Sequence, residues 1–232
     1  MTKVPLIIFG LENFAEIAYE YFTKDSNFEV VGFTADKRYI KDKTKFDLPI
    51  YPFEEIDSIL KPSEYHFFAA ITYANLNDLR KTKLTAAKKM GFTPASYISS
   101  RSFIWMNVTI GEHCFIFEDN TLQPFVTIGD NVVIWSGNHI GHHAKIQNDI
   151  FISSHVVISG NCRIEDNCFL GVNSTMSNNI SVGSRVWIGP GALLTKNIPP
   201  GSLVTAKSSV VKPLDEDLLN QKLQTISRPH QD

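Results

Sequence analysis

The chain carries seven histidines, and three of them fall within five residues, in Trp135-Ser-Gly-Asn-His139-Ile-Gly-His142-His143. An imidazole titrates near pH 6.5, so at neutral pH it can take a proton or offer a lone pair to a metal. These are two different chemistries with different requirements. Acyl transfer needs a base for the nucleophile's proton, a donor for the oxyanion, and a slot for the acyl carrier. A zinc site needs three imidazoles converging on one ion, and His139, His142, His143 and His155 could supply nitrogen. His113 reads as a surface polar residue. Cys114, Cys162 and Cys168 lack metal-site spacing and make an odd set, so neither a zinc knuckle nor a disulfide framework is expected.

The elements around these histidines are set by a repeat. From Ile104 every sixth residue is aliphatic, through Ile110, Ile116 and Leu122 to Ile188 and Leu194, sixteen positions without insertion or deletion. A second series four residues after each is mostly small or β-branched. It takes in all three cysteines as core filler, and Asn120 and Asn138, eighteen residues apart, as an internal amide ladder. A period of six means one short flat strand and one corner per repeat. Three repeats close a triangular coil of eighteen residues, and coils stack at about 4.8 Å. Fifteen intervals give five coils. His142 follows inward Ile140 by two residues, so it lies outside the prism near a corner. Residue 142 plus eighteen is Gly160, whose backbone N–H could reach a reacting carbonyl with no side chain in the way. Pro199 and Pro200 end the pattern. Beyond Pro213, Leu214, Leu218, Leu219 and Leu223 suggest a short amphipathic helix.

The first hundred residues read differently. Val4–Phe9 is a buried strand ending at Gly10, followed by a helix over Glu12–Phe22. Phe28–Phe33 and Tyr65–Ile71 are further strands, and Asn75–Met90 a helix. Strands alternating with helices imply a small parallel α/β domain. Gly10 at the first strand–helix turn and Asp36 after the second strand are the candidate nucleotide contacts. The turn Gly-Leu-Glu-Asn-Phe-Ala lacks the G-x-G-x-x-G pattern, so a plain tight turn is the competing reading. With 22 Lys and Arg against 24 Asp and Glu, a net charge of −2, there is no basic footprint for nucleic acid and no polybasic run for a membrane surface. Val4–Phe9 is too short for a signal-peptide core or a membrane span, so a cytoplasmic protein is expected.

The repeat, the histidine segment and the preceding α/β region together resemble the hexapeptide-repeat nucleotide-sugar acetyltransferases. Those include the bacillosamine and perosamine N-acetyltransferases and the sialic-acid O-acetyltransferases. The resemblance covers about residues 4–205 and is strongest over Trp135–Leu194. It implies a Rossmann-like nucleotide-sugar-binding domain over 1–98, a left-handed parallel β-helix over 99–211, and a C-terminal helix and tail over 212–232. It also implies a homotrimer that uses acetyl-CoA, without a metal, to acetylate the amino group of a nucleotide-linked amino sugar. By that resemblance His142 is the base, Gly160 lies by the acetyl group, and Val172 and Gly189 line the CoA channel. His155 is placed in the same set, facing the groove between subunits, and Gly10 and Asp36 hold the nucleotide. Phe117, Trp135 and Trp187 are candidate anchors between subunits. Two departures stand out. Asn13 and Phe14 occupy the first turn where family members carry a second glycine and a histidine. Gly141 and His143 flank the base where a carboxylate is common, leaving Asn138 and His143 as candidates to orient it. A sugar or sialic-acid O-acetyltransferase, a zinc carbonic anhydrase on the same prism, and a non-catalytic scaffold remain as alternatives.

Overall fold

The computed structural model describes residues 3–209 and residue 216, so the C-terminal helix expected over 212–232 lies outside the described residues. Strand β1 (Val4–Phe9) leads into helix α1 (Asn13–Lys24) and strand β2 (Phe28–Ala35). A short hairpin of β3 (Thr44–Lys45) and β4 (Leu48–Pro52), a turn of helix α2 (Ile56–Ile59), strand β5 (His66–Ala69), helix α3 (Asp78–Met90) and strand β6 (Thr93–Pro94) complete the region. The sheet order is β3-β4-β2-β1-β5-β6, parallel except for the β3–β4 hairpin. Helix α3 starts three residues later than the spacing suggests, because Asn75, Leu76 and Asn77 all take left-handed backbone angles (φ 51°, 49° and 70°).

Strand β1 is hydrophobic along its length because both its faces are covered. Leu6 and Ile8 point into a core shared with α1, while Ile7 and Phe9 pack with Phe53, Ile56, Phe67 and Ala87 on the other side.

From Tyr97 the chain winds as a three-sided prism. Its first face stacks Tyr97–Ile98, Phe115–Ile116, Val133–Ile134, Phe151–Ile152, Phe169–Leu170, Trp187–Ile188 and Leu203–Val204, all parallel. The second runs from Phe103–Ile104 to Leu193–Leu194, and the third from Thr109–Ile110 to Ser181–Val182. The register between neighbours is eighteen residues, as at Ile134↔Ile152 and Ile140↔Ile158, until the last step, Ile188↔Val204, which is sixteen. Aliphatic residues from every coil fill one continuous core with Cys114, Cys162 and Cys168, and each thiol is pushed above its usual range chiefly by burial. Asn138 Nδ2 donates to Asn120 Oδ1 at 3.0 Å, the amide ladder expected from their spacing. The prism begins at Tyr97–Ile98, two residues before the boundary drawn at 99.

The α/β region rests on the prism's first face through an aromatic seam. Phe14 packs against Phe68, Phe115, Phe117 and Trp135, and Tyr73 against Phe151, Phe169 and Trp187. Phe117, Trp135 and Trp187 therefore belong to an intrachain core, which corrects their assignment as anchors between subunits. The polar side of the seam is built on the prism corner before that face, where His113, Asn131, Asp149, Asn167 and Arg185 recur every eighteen residues with φ between 57° and 59°. Arg80 of α3 is fully buried there. Its Nε donates to Asn131 Oδ1, and its terminal nitrogens donate to the carbonyls of Ile71, Thr72, Asn131 and Ile150 at 2.7–3.2 Å. Burial lowers its pKa to about 10, still high enough to keep the charge at neutral pH.

His113 is not at the surface: it is fully buried in this corner. Its Nε2 accepts the Ala69 N–H at 2.9 Å, so Nδ1 carries the proton and donates to Asn131 Oδ1 at 2.9 Å. Desolvation, with Arg80 and Lys88 adding to it, pushes its pKa down to about 3.

Candidate active site

The two other corners of the prism hold His142, His143 and His155, and they are different corners, while His139 lies on a strand of the second face. His142, His143 and Gly160 lie between the second and third faces, since they follow His139–Ile140 and Val157–Ile158. His155, Val172 and Gly189 lie between the first and second faces, after Phe151–Ile152, Phe169–Leu170 and Trp187–Ile188.

At the first of these corners His142 is exposed. Its amide donates to Gln123 Oε1 at 2.9 Å, and its ring lies over Gly160 of the next coil. A Cβ at residue 160 would stand 2.6 Å from both Cε1 and Nε2 of the imidazole, so any larger residue there pushes the ring out of this position. Its Nδ1 sits 3.1 Å from His143 Nδ1. Of the two orienting candidates, His143 touches the His142 ring and Asn138 does not. The Asn138 side chain is buried inside the prism, where Oδ1 accepts the Val156 N–H at 2.7 Å and Nδ2 donates to Asn120 Oδ1. The Gly160 N–H is also committed, donating to Asn178 Oδ1 at 2.9 Å. As an oxyanion donor it would first have to be given up by Asn178. That partner was readable from the spacing, being eighteen residues on.

At the other corner His155 is exposed, at φ 57°, with its ring beside Gly137 of the coil below. Val172 is 40 % exposed. Among the described residues no three His, Cys, Asp or Glu side chains gather closely enough to hold a metal ion.

The α/β region contributes a cavity of about 610 Å³ at the C-terminal ends of β1, β2 and β5. Gly10 takes φ 120°, and a Cβ there would come within 3.0 Å of the Ala70 carbonyl. Helix α1 opens onto the cavity without a side-chain cap at Glu12, which leaves its first N–H groups for an anion. Asp36 follows β2 at the cavity wall and pairs through Oδ1 with Lys83, whose ammonium also lies 5.0 Å from the Phe9 ring and 4.9 Å from the Phe53 ring. Arg38 and Lys41 add positive charge. Sequence reasoning missed Lys83, Arg38 and Lys41. Lys83 is one of four lysines in α3, and nothing local marks it as the one that turns inward. Phe14 replaces polarity with an aromatic that closes the seam under the cavity.

Residues 107–142 and 125–160 match the family model described as bacterial transferase hexapeptide (six repeats), and 162–196 match that of the hexapeptide repeat of succinyl-transferase. A search of curated proteins by sequence finds no match. Among solved structures, the acetyltransferase domain of PglB from Neisseria gonorrhoeae FA1090 in complex with acetyl coenzyme A superposes with a TM-score of 0.77. It is 18 % identical, over 87 % of this chain and 95 % of that one. A histidine-to-asparagine mutant of perosamine N-acetyltransferase from Caulobacter crescentus, in complex with CoA and GDP-perosamine, gives 0.77 at 18 % identity over 86 % and 92 %. WeeI from Acinetobacter baumannii AYE gives 0.73 at 20 % identity over 85 % and 94 %. The fold is theirs. A Rossmann-like domain leading into a left-handed parallel β-helix is what all of these chains share with this one. Within this chain the register of eighteen at Ile140↔Ile158 is what stacks Gly160 on His142. No helix among the described residues is long and apolar enough to cross a membrane.

Proposed function

We propose that the chain transfers acetyl from acetyl-CoA to the amino group of a nucleotide-linked amino sugar, with His142 as the base. The observation that carries this reading is the exposed imidazole of His142 laid against the bare Cα of Gly160, in a chain whose α/β region also offers an anion-ready helix start and an acidic residue at Asp36. An acyl carrier needs access to His142, and a nucleotide needs the positive helix end and a carboxylate for ribose. In the two structural neighbours whose complexes are described above, acetyl-CoA is bound in one, and CoA with GDP-perosamine in the other.

The chemistry follows from the base. The acceptor amine attacks the thioester carbonyl and forms a C–N bond. His142 Nε2 takes a proton from that nitrogen as the tetrahedral centre forms. The C–S bond then breaks, and the proton passes from Nε2 to the departing sulfur. The products are an acetamido sugar and CoA thiol.

A complete site calls for more than one copy. His142 with Gly160, and His155 with Val172 and Gly189, bound the second face from its two edges. That face is the one whose outward residues include exposed Phe103, Val157 and Leu193. A second copy seated there brings one chain's His142 edge against its partner's His155 edge, and threefold closure satisfies every chain. The reading is therefore a homotrimer acting in the cytoplasm, with residues 1–98 holding the nucleotide and 99–211 the transfer machinery.

The test is a panel of UDP-, GDP- and dTDP-linked amino sugars with acetyl-CoA and detection of released thiol, with light scattering to follow assembly. His142→Asn should lower turnover by roughly 10²–10⁴ and leave the assembled mass unchanged. Full turnover in that variant, or thiol release only with hydroxyl acceptors, would sink the amine-acetylation reading.

A further inference from the structure

Among the described residues no carboxylate is bonded to His142, and its ring nitrogen is paired with another imidazole. Nδ1 of His142 and Nδ1 of His143 are 3.1 Å apart, with the two rings edge to face at 86°. Two nitrogens in such contact share one proton: one ring donates and the other accepts. A base working through Nε2 must hold its own proton on Nδ1. The pair is then defined, with His142 Nδ1–H donating to the Nδ1 lone pair of His143, and His143 carrying its proton on Nε2.

What fixes His143 is a second departure from ordinary chemistry. Phe125 lies one coil below it in the same corner and stacks on its ring with centroids 4.6 Å apart and planes at 26°. Phe125 is 55 % exposed, yet it holds a left-handed backbone angle of φ 65°. Bulky residues avoid that region, and the two coils above fill the same position with Asn161 and Asn179, whose type suits it. The Phe125 amide is tied down by Asn107 Oδ1 at 2.9 Å, and the His143 amide by the Pro124 carbonyl at 3.1 Å. An exposed aromatic held in a disfavoured conformation, with its ring face against an imidazole, is strain retained for a contact.

We propose that His143, braced by Phe125, is the positioning residue for His142: a neutral imidazole that fixes the tautomer of the base and aims its Nε2 over Gly160. This deepens the acetyl-transfer reading and rests on it for its kinetic consequences, but the tautomer itself can be read without any turnover. Phe125 from the coil below stacks on the His143 ring, Gln123 holds the His142 amide, and Gly160 of the coil above lies against the His142 ring; none of the three carries a charge, and Lys145, on the adjoining strand of the third face, is the nearest cation in sequence.

The experiment pairs nitrogen-detected NMR of the imidazoles with kinetics. His143→Gly removes the ring at a position where glycine keeps the left-handed backbone without cost, and His143→Asn restores an acceptor there. In the native protein His142 should be protonated on Nδ1. His143→Gly should shift it toward a tautomer mixture, lower kcat about tenfold, and leave the KM for acetyl-CoA unchanged. His143→Asn should return kcat to within a few-fold of native. His143→Asp should also return it and move the acid limb of the pH–rate profile upward by roughly one unit, because a carboxylate favours the imidazolium. Phe125→Asn should fall between native and His143→Gly. Native-like kcat and an unmoved tautomer in His143→Gly overturn the proposal. A normal tautomer response with no acetyl transfer to any amino sugar keeps the positioning role and discards the proposed function.

Discussion

Replacing His113 by Asn tests whether the seam between the two regions is held by a neutral buried imidazole. Asparagine is the probe of choice because the same corner already places Asn131 and Asn167 at φ 58° and 59°, so the backbone should not object. The shorter side chain cannot both accept the Ala69 N–H and donate to Asn131 Oδ1, each now bonded to His113 at 2.9 Å. One orphaned buried donor costs about 1–3 kcal/mol, and the space left by the ring adds to it. A loss of about 3 kcal/mol at pH 7 is expected. The pH dependence is more specific. With a folded-state pKa near 3, against an unfolded value of about 6.5, the unfolded chain binds a proton at His113 between those limits and the folded chain does not. The stability from the neutral imidazole is present in full above pH 6.5 and drains away as pH falls toward 3. Between pH 7 and pH 5 the loss is about 2 kcal/mol. Urea unfolding of both proteins at pH 7, 6 and 5, at one protein concentration, followed by tryptophan fluorescence, separates this group from all others. The native protein's advantage over His113→Asn should shrink by about 2 kcal/mol across the range. Parallel pH profiles would refute the assignment of a buried neutral imidazole.

Two further outcomes follow from the site. Gly160→Ala puts a methyl group where the imidazole of His142 now lies, and should cut turnover roughly a hundredfold while stability and assembly hold, measured by thiol release and light scattering. Asp36→Ala should raise the KM for the sugar nucleotide about tenfold and leave that for acetyl-CoA nearly unchanged; equal effects on both would place Asp36 outside the nucleotide site.

The prism was legible because its signal is a strict period that local context cannot alter: each inward aliphatic from Leu122 to Leu194 is buried. The same arithmetic gave Gly160 above His142 and Asn138 beside Asn120. It was not carried to outward positions, and the misreadings gather there. Sorted by face, the outward residues of the first face are Tyr97, Phe115, Val133, Phe151, Phe169, Trp187 and Leu203, while those of the third are Thr109, Thr127, Lys145, Arg163 and Ser181. Only the first can dock a domain. His113, Asn131, Asp149, Asn167 and Arg185 share one corner by the same interval, and that interval would have removed His113 from the surface. Arg80 and Lys83 were beyond reach in another way. Each is a cation in a helix full of cations, and only the tertiary fold decides which ones are buried.

The first face of the prism and the corner before it are covered by the α/β region, and this bears on how far the two regions can be treated as modules. A chain cut at Ser99 would keep the repeat but lose Tyr97, the first strand of the first face, and everything that covers Phe115, Phe117, Phe151 and Phe169. It would also strip Arg80 from Asn131 and the Ala69 N–H from His113. An apolar face of that size in water is an association surface. The α/β region therefore also covers an association surface of the prism, so failure of the cut chain to bind acetyl-CoA would not test whether that region holds the nucleotide. Point changes inside the cavity, Asp36→Ala among them, leave the seam intact, and they are the perturbations that can separate the work of the two regions.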